Sequence, residues 1–578
     1  MFLVTTALDE TFPLDKETNI LFLGEWCKVY NKSAKWKEYK SKTLDYHWSD
    51  RLKLSQDSKY LEDVYERYLK ILTKELNKIH NEQHSERYWR IIIGPWLMRF
   101  IAIVFDKYLL IEHAFSSQKI DKTYVLDFDK VNAIPVDMHD FVRLYVNDDW
   151  NHFIFSSLIK EDYCKVVKIK SNRGIYRQKK NRKNLLKKIS MKLNRFNKIG
   201  FYTSYLERKS CVKLQMLLGQ IPALDYIDEF SPTAVFDLSL RESLDIPDGA
   251  CAFEGALGSV IKTQIPCAYL ESYKTLKKAA FSRYASKTRL IVSGAASLAV
   301  HDDFKVWSAH QVEDGAQLVV SQHGGYYGTG QLMDPTEKGE IEVSSVFFSW
   351  GWRRRDFNNI KPMPAIKLLN TISHNPKGDV LVLLLSLPRY SSSLISSPTS
   401  SLMLSYIQDQ IDFLSLISDK VSAHIKLRMF ANDYGWNMKE RLSDCGFGKF
   451  IESDVNLNKK FVNRLSECRL CIATYNGTTY LETFYSNFPT LIFWDKNLWE
   501  INQFAKPYFE SLHKVGILHY SAKSLTAKLE EVYGDPMGWW MTEDVQSAKK
   551  SFCAEFASVG DNPLGKWRSE LEKMAAVI

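Results

Sequence analysis

Short apolar runs alternate with amphipathic segments along most of this chain, and that alternation constrains its fold more than any other feature. The clearest run is VLVLLL at 380–385, which is typical of a central strand buried on both faces of a parallel sheet. Shorter runs at 2–4, 20–23, 290–292 and 317–320 are each followed by polar residues. The pattern predicts an α/β protein with parallel sheets covered by helices.

Two blocks of this alternation predict two Rossmann-like domains, and a length of 578 residues suits two large units. We expect the first domain at 1–355 and the second at 375–545, joined by a polar connection. Residues 546–578 are predicted to form a helical segment that crosses back to the first domain. Ligands bind beyond the carboxyl ends of parallel strands, so candidate site residues are sought there.

Composition limits the class of protein further. Hydrophobic residues make up 45% of the chain, which supplies extended cores and excludes a mostly disordered protein. The nine cysteines are scattered and odd in number, which favours a reducing compartment. The first residues lack the features of a leader, and the apolar segment 89–111 is interrupted by charges, so we expect a cytoplasmic protein with a buried helix there.

The net charge of +9 comes from one segment, because residues 165–198 hold fourteen Lys or Arg and no acidic residue. We expect a basic helical insertion here. One interpretation is a peripheral contact with the anionic inner face of the cytoplasmic membrane. The other is a solvated insertion with no partner. The sparse aromatic residues disfavour a nucleic-acid partner.

The segment TYNGTTYLE at 474–482 follows a predicted strand and opens a predicted helix, which is the placement of a phosphate cradle. Gly477 permits a tight turn, and Glu482 is a candidate for ribose hydroxyls or an ordinary capping residue. The candidate ligand-binding residues of this segment are Thr474, Asn476, Gly477, Thr478, Thr479 and Glu482.

Two further loops follow strands of the predicted second domain. Arg428 and Asp433 lie at the carboxyl end of one strand, and an arginine there offers paired donors to a phosphate or carboxylate. The alternative role of Arg428 is to hold the neighbouring loop. Ser386 and Arg389 follow the strand at 379–385 and are predicted to line the approach of the phosphate.

His323 is the first candidate for proton transfer, because it follows a predicted strand and is flanked by glycines that let a ligand approach closely. Its neighbours Gln322, Gly324 and Gly325 are candidates for the same site, on the part of the chain before residue 355. The alternative is a buried histidine bonded to a carbonyl group. Glu340 and Glu342, expected in the same polar loop, and Glu10 compete for the role of base.

Signatures of metal or cofactor chemistry are weak in this sequence. Cys468 and Cys471 form a single CxxC pair without suitably spaced histidines, so we interpret them as buried structural cysteines. The Walker loop, the GxSxG elbow, the HExxH helix and GxGxxG are missing. We therefore predict no metal and no cofactor besides the substrates.

Several longer segments spread over nearly the whole chain can be compared with known families. They are LVTTALDETFP, LFLGEWC, YHWSDR, RYWRIIIGPWL, SQHGGYYG, FFSWGW, KLRMFANDYGW, TYNGTTYLET and GWW. In this combination the chain resembles bacterial surface-carbohydrate transferases that are distantly related to the KpsC/KpsS-type capsule enzymes. The resemblance implies a GT-B glycosyltransferase, in which two Rossmann-like domains face a central cleft.

The resemblance also implies substrates. The leading donor is a CMP-activated nonulosonic acid of the pseudaminic, legionaminic or sialic type, and the acceptor is a capsule or O-antigen glycan or glycolipid. The donor is expected on 375–545 and the acceptor on 1–355. Two alternatives remain open: an enzyme that moves an alditol phosphate from a CDP donor, and a noncatalytic binding protein of capsule assembly.

Overall fold

The computed structural model describes residues 1–127, 130–160, 162–171, 194, 197–227 and 230–576. Within these residues, fifteen strands form three five-stranded sheets, and each strand pair is parallel. Helices cover the sheets, so the predicted α/β class is confirmed. The range 1–355, expected as one Rossmann-like domain, contains the first sheet and four of the five strands of the second.

The first sheet has the strand order β3-β2-β1-β4-β5. Its strands β1 and β2 are completely buried apolar triplets, as their sequences predict. The strands are β1 (Phe2–Val4), β2 (Ile20–Phe22), β3 (Ser41–Thr43), β4 (Lys122–Asp127) and β5 (Lys165–Lys170), and the helices are α1 (Ser33–Trp36), α2 (Arg51–His80), α3 (Glu86–Ser117), α4 (Met138–Leu144) and α5 (Asp148–Leu158).

The second sheet has the sequential order β10-β9-β8-β7-β6, and its edge strand β10 extends into the predicted connection between domains. The strands are β6 (Ile199–Tyr202), β7 (Leu290–Ser293), β8 (Gln317–Ser321), β9 (Val346–Ser349) and β10 (Ile360–Pro362). The helices are α6 (Arg208–Leu217), α7 (Leu238–Glu242), α8 (Ala252–Gln264), α9 (Tyr273–Arg283), α10 (Ala295–Val300), α11 (Asp302–Glu313) and α12 (Pro335–Val343).

The third sheet has the order β12-β11-β13-β14-β15, so the direction of winding reverses between β11 and β13. Its strands are β11 (Asp379–Leu383), β12 (Ile425–Arg428), β13 (Cys468–Ala473), β14 (Thr490–Phe493) and β15 (Leu518–His519). The first eight of the remaining helices are α13 (Met403–Leu416), α14 (Asp419–Ser422), α15 (Met438–Asp444), α16 (Asp454–Leu457), α17 (Phe461–Leu465), α18 (Thr478–Tyr485), α19 (Lys506–Lys514) and α20 (Ala522–Val532).

Three last helices, α21 (Pro536–Trp540), α22 (Glu543–Phe556) and α23 (Pro563–Ala576), follow the third sheet. Helix α22 packs on α18 and α19, whereas α23 packs on the second sheet. Trp567 of α23 makes an edge contact with Phe348 of β9 at 4.9 Å between ring centroids, and its Nε1–H donates to the carbonyl of Pro364 at 2.9 Å. The C-terminal segment thereby ties the second sheet to the third.

Helix α3 is the core helix of the first half. By length and hydropathy it could cross a membrane, and 78% of its most apolar window is buried inside the protein. The helix continues through Pro95 as a single element. A Cβ on Gly94 would lie 2.8 Å from Tyr65 Oη, so this glycine permits the close packing of α3 against α2.

The basic run predicted as a helical insertion at 165–198 begins differently. Its first six residues form β5, a strand paired with β4 at the edge of the first sheet. Lysines that alternate with apolar residues suit such a position, because charge on an edge strand opposes pairing with another chain. Residues 172–193 and 195–196 of the run lie outside the described residues.

Candidate functional site

The loop after β8 and the turn after β13 contact each other directly. The Gly325 N–H donates to Thr478 Oγ1 at 3.0 Å, and Asn476 Nδ2 donates to Thr329 Oγ1 at 2.9 Å. A Cβ on Gly325 would lie 2.5 Å from the Gly477 carbonyl oxygen, so the contact requires a glycine. The two predicted motifs, SQHGGYYG and TYNGTT, therefore share one interface between the second and third sheets.

A cavity of about 490 Å³ lies at this interface. Its wall on the third sheet follows β11 and β13, the two strands between which the winding reverses, and such a switch point is where open α/β sheets bind ligands. The lining residues are Tyr326, Gly330, Leu332, Asp334, Glu337, Leu385, Leu387, Ile395, Ser396, Ser397, Tyr475, Asn476, Gly477, Thr478, Thr479 and Trp499. We call this space the interface cavity.

A second cavity of about 610 Å³ opens on the other side of Tyr475 and Thr479, which line both spaces. Its walls are the residues after β11 and β12 and the turn that leads into α17. It is lined by Leu383, Leu384, Arg428, Met429, Phe430, Ala431, Asp454, Leu457, Asn458, Phe461, Tyr475 and Thr479. We call it the strand-end cavity. The two spaces adjoin along the carboxyl edge of the third sheet, and we refer to them together as the cleft.

Helix α18 begins where the two cavities meet. Gly477 is its N-cap and provides no side-chain hydrogen bond to the first N–H groups of the helix. The hydroxyl of Thr479 is buried beside the side chain of Tyr475, with which it interacts. N–H groups without a side-chain cap at a helix N-terminus favour an anion.

His323 stands at the end of β8, two residues before the glycine that touches α18. Tyr327 Oη lies 3.1 Å from His323 Nδ1 and donates to Glu340 Oε2 at 2.9 Å, so the three side chains form a chain of hydrogen bonds. Burial raises the pKa of Glu340, and the neighbouring His323 opposes that shift. The imidazole is half-buried and lies beside the interface cavity without lining it.

The other two candidate bases lie elsewhere. Glu342, expected with Glu340 in a polar loop, lies with it on helix α12. Its carboxylate is 3.3 Å from Arg90 of α3 and 3.4 Å from Lys338 of its own helix. Glu10 is an exposed residue after β1 of the first sheet. Neither lines the interface cavity.

Two carboxylates that sequence reasoning missed do line the interface cavity. Glu337 is 3% exposed, and its Oε1 accepts from the Gly328 N–H at 2.8 Å, while Oε2 makes no hydrogen bond within the described chain. Burial raises the pKa of Glu337 to about 8. Asp334 caps α12 by accepting from the Thr336 N–H. The Asp-Pro pair at 334–335 was an available signal for a helix start here.

The raised pKa of Glu337 leads to a prediction about stability. Because the folded state holds this proton more tightly than the unfolded state, with its ordinary pKa of 4.5, wild-type stability should fall as pH rises from about 4.5 to about 8. Glu337→Gln keeps an acceptor for Gly328 and removes the titration. We expect the free energy of unfolding of Glu337→Gln, relative to wild type, to increase between pH 5 and pH 8 in chemical denaturation. A constant difference across that range would contradict the assignment.

Arg428 and Asp433 make hydrogen bonds to backbone groups of neighbouring loops. Arg428 donates to the carbonyls of Asn456, Leu457 and Lys459 at 2.9–3.1 Å and thereby fixes the loop that walls the strand-end cavity. Asp433 accepts from the N–H groups of Asn437 and Met438 at the start of α15. The alternative role of Arg428, holding the neighbouring loop, is the one the geometry displays.

Ser386 and Arg389 are also engaged. Ser386 Oγ donates to the carbonyl of Asp433 at 2.9 Å. Arg389 is buried, donates to the Trp26 carbonyl and pairs with Asp148 at 2.9 Å, so it links the loop after β11 to the first sheet. Neither residue lines the two cavities.

The remaining predicted residues divide between the cleft and its support. Thr474 is fully buried and donates to the Leu383 carbonyl, which joins β13 to β11. Glu482 is largely buried, with a pKa raised by burial, and lines neither cavity. Gln322 accepts from the Trp350 N–H and donates to the Gly324 carbonyl, so it shapes the loop that carries His323.

Potential metal ligands are not grouped in the cleft. Within the described residues, no set of three His, Cys, Asp or Glu side chains that could share an ion lines either cavity. Cys468 and Cys471 are buried in β13, and burial raises the pKa of both thiols.

These features define an α/β protein with a cleft at a topological switch point, between loops from two parallel sheets, which is where open α/β sheets bind ligands. The chain belongs to the LIC12162 family of transferases, because the model of that family matches residues 1–571. It is thus an enzyme of the transferase class. No curated protein matches the chain.

Proposed function

We propose that this transferase is a glycosyltransferase with a GT-B-type arrangement, in which the second and third sheets face each other across the cleft. The observation that best supports this proposal is the direct contact between SQHGGYYG and TYNGTT at the start of α18. One side of that junction has anion-binding N–H groups, and the other has a histidine held by a tyrosine and a glutamate. Transfer from a nucleotide-activated sugar uses both.

The two cavities suggest how the donor lies. The nucleoside would occupy the strand-end cavity, over the ends of β11 and β12, as nucleotides do in open α/β sheets. The phosphate would lie against the N-terminus of α18 and the hydroxyl of Thr479. The sugar would then enter the interface cavity, where Tyr326 and Trp499 offer aromatic faces.

The donor is proposed to be a CMP-activated nonulosonic acid, on the resemblance to surface-carbohydrate transferases. A sugar carboxylate beside Glu337 would be repelled by a second negative charge. The pKa of about 8 keeps Glu337 protonated at neutral pH, so that it can donate a hydrogen bond to the sugar instead. Arg428, the cation predicted to bind these anions, donates instead to loop carbonyls. The donor phosphate and the sugar carboxylate would therefore be bound by the N-terminus of α18 and by Glu337.

The acceptor is proposed to be a capsule or O-antigen glycan that reaches the cleft from the side of the second sheet. Its hydroxyl would lose a proton to His323 as it attacks the anomeric carbon, and the bond between that carbon and the donor phosphate would break. We further propose that the enzyme works in the cytoplasm, with the basic run at 165–198 touching the anionic inner face of the membrane.

Thr479→Val tests the position of the phosphate. Valine has the same shape and lacks the hydroxyl, which interacts with Tyr475 within the described residues, so folding stability should change little. A hydrogen bond to a charged phosphate is worth about 1.5–3 kcal/mol, so we expect CMP affinity to fall about 10- to 100-fold in calorimetric titration. Unchanged CMP affinity in the folded variant would place the phosphate elsewhere.

Thr474→Val is the matched control for that experiment. The Thr474 hydroxyl has two internal partners, the Leu383 carbonyl and Tyr406 Oη, so its loss should lower stability instead. If Thr479→Val lowers CMP affinity and Thr474→Val lowers folding stability, the first hydroxyl binds the ligand and the second is structural.

Product analysis tests the proposed reaction against its alternatives. The protein is incubated with a CMP-linked nonulosonic acid and capsule or O-antigen oligosaccharides, and products are weighed by mass spectrometry. We expect CMP release and an acceptor heavier by one sugar residue without phosphorus. A phosphorus-containing product from a CDP-alditol donor would indicate the phosphotransferase instead, and donor binding without turnover would indicate a binding protein.

A further inference from the structure

A second cluster of metal-ligating side chains lies away from the cleft. His84 is in the turn between α2 and α3, and His310 and Glu313 are one helical turn apart at the end of α11. One ligand atom from each of the three lies within 4.8 Å of the other two. Since α11 ends just before β8 begins, the cluster is at the edge of the second sheet opposite the end that carries His323.

His84 lies close to two carboxylates. Its Nδ1 is 2.7 Å from Glu313 Oε2, the distance of a direct hydrogen bond, while its buried Nε2 makes no hydrogen bond within the described residues and lies 3.3 Å from Glu82 Oε2. A neutral imidazole has one N–H, which this geometry places on Nδ1. A cation bound at Nδ1 would move that proton to Nε2, where Glu82 can accept it.

The surroundings keep this arrangement in place. Glu82 is held by Lys277, whose Nζ donates to it at 2.6 Å. The His84 ring stacks on Tyr88 with 3.7 Å between ring centroids. The other oxygen of Glu313 accepts from the N–H and the hydroxyl of Ser85. The imidazole and the carboxylate are therefore oriented by their neighbours, and they must move apart from their 2.7 Å contact to admit an ion.

We propose that His84, His310 and Glu313 bind a Zn²⁺ ion that ties the α2–α3 turn to α11. Two imidazoles and one carboxylate, with water as the fourth ligand, form an accepted tetrahedral zinc set with bonds of about 2.0–2.2 Å. Glu82 then supports the ligand His84 through Nε2–H, as outer-shell carboxylates commonly do. The exposed side chain of Glu313 and the His310 ring close on the ion by rotation. His310 Nε2 now lies 3.0 Å from Tyr88 Oη, so the ring either gives up that contact or coordinates the ion through Nδ1.

Calorimetric titration of ZnCl₂ into the chelator-treated full-length protein tests this site. We expect one binding site, a loss of affinity greater than about 100-fold in His310→Ala and in Glu313→Gln, and a loss of about 10- to 100-fold in the outer variant Glu82→Gln. His113→Ala, at the far end of α3, is the matched control and should bind like wild type. Circular dichroism verifies that each variant is folded before titration.

Two results would overturn the proposal: no saturable binding of Zn²⁺ by wild type, or an affinity that His310→Ala and Glu313→Gln leave unchanged. CMP binding is measured in the same variants. Because the cluster and the cleft are at opposite edges of the second sheet, CMP affinity should not change in these variants. The experiment therefore tests the zinc site independently of the proposed transferase reaction.

Discussion

His323→Ala is expected to slow sugar transfer about 10²- to 10⁴-fold, the range for loss of a group that transfers a proton. With Tyr327 Oη donating to Glu340, its oxygen accepts from His323 Nδ1–H, and we assign the ring tautomer on that basis. Nε2 makes no hydrogen bond within the described residues, so it is the ring atom that can take a proton from an acceptor hydroxyl. Initial rates at saturating donor measure the effect.

Donor affinity and two further variants control for indirect effects. His323 lines neither cavity, so CMP affinity should be unchanged in His323→Ala. His424 lies at the amino end of β12, opposite the carboxyl end where the cleft lies, so His424→Ala should retain wild-type rates. Tyr327→Phe keeps the imidazole but breaks its link to Glu340, and should alter the pH profile of the rate with a smaller loss. A His323→Ala enzyme with wild-type turnover would remove this residue from the mechanism.

Arg464→Met is expected to destabilise the protein by about 3–5 kcal/mol, because it leaves buried acids without their partner. The Arg464 guanidinium is 1% exposed, donates to the fully buried Glu452 and bonds Asp379 Oδ2 at 2.6 Å. Those acids raise the pKa of Arg464 despite its burial. Denaturant titration at neutral pH measures the change.

The double variant Arg464→Met, Glu452→Leu separates charge from packing. Removing the stranded carboxylate should recover most of the lost stability, since a buried ion pair replaced by apolar residues of similar volume is often neutral. The other two carboxylate partners, Asp379 and Glu467, are 30% and 46% exposed and can be solvated. Destabilisation below about 1 kcal/mol in the single variant would show that Glu452 finds another partner, of which Arg428 at 3.4 Å is the nearest candidate.

Much of the fold follows from apolar runs. The run that becomes β11 and the triplets that become β1 and β2 are buried as their sequences predict. Strands β3 and β5 were missed because edge strands carry few apolar residues, and the lysines of β5 look like part of a solvated run. The reversal of winding in the third sheet arises from the order in which strands pair, which no local pattern encodes.

In the candidate site, too, features set by local sequence could be predicted, whereas those set by tertiary contacts could not. The glycine-rich loop and the Thr-rich turn could be placed at strand ends from sequence, and the structure brings them into contact through Gly325 and Thr478. Sequence could not tell that the guanidinium of Arg428 is satisfied by carbonyls of a loop about thirty residues later. Glu337 was missed because its importance depends on burial, and burial of one helical face is a tertiary property.

A thermal-shift series with CMP, CDP, UDP and GDP tests most directly whether the cleft holds a cytidine-linked donor, because a ligand that binds only the folded state raises its melting temperature. We expect the largest rise with CMP, and a much smaller rise in the folded Thr479→Val variant. A rise with UDP alone, or no rise with any nucleotide, would contradict the account.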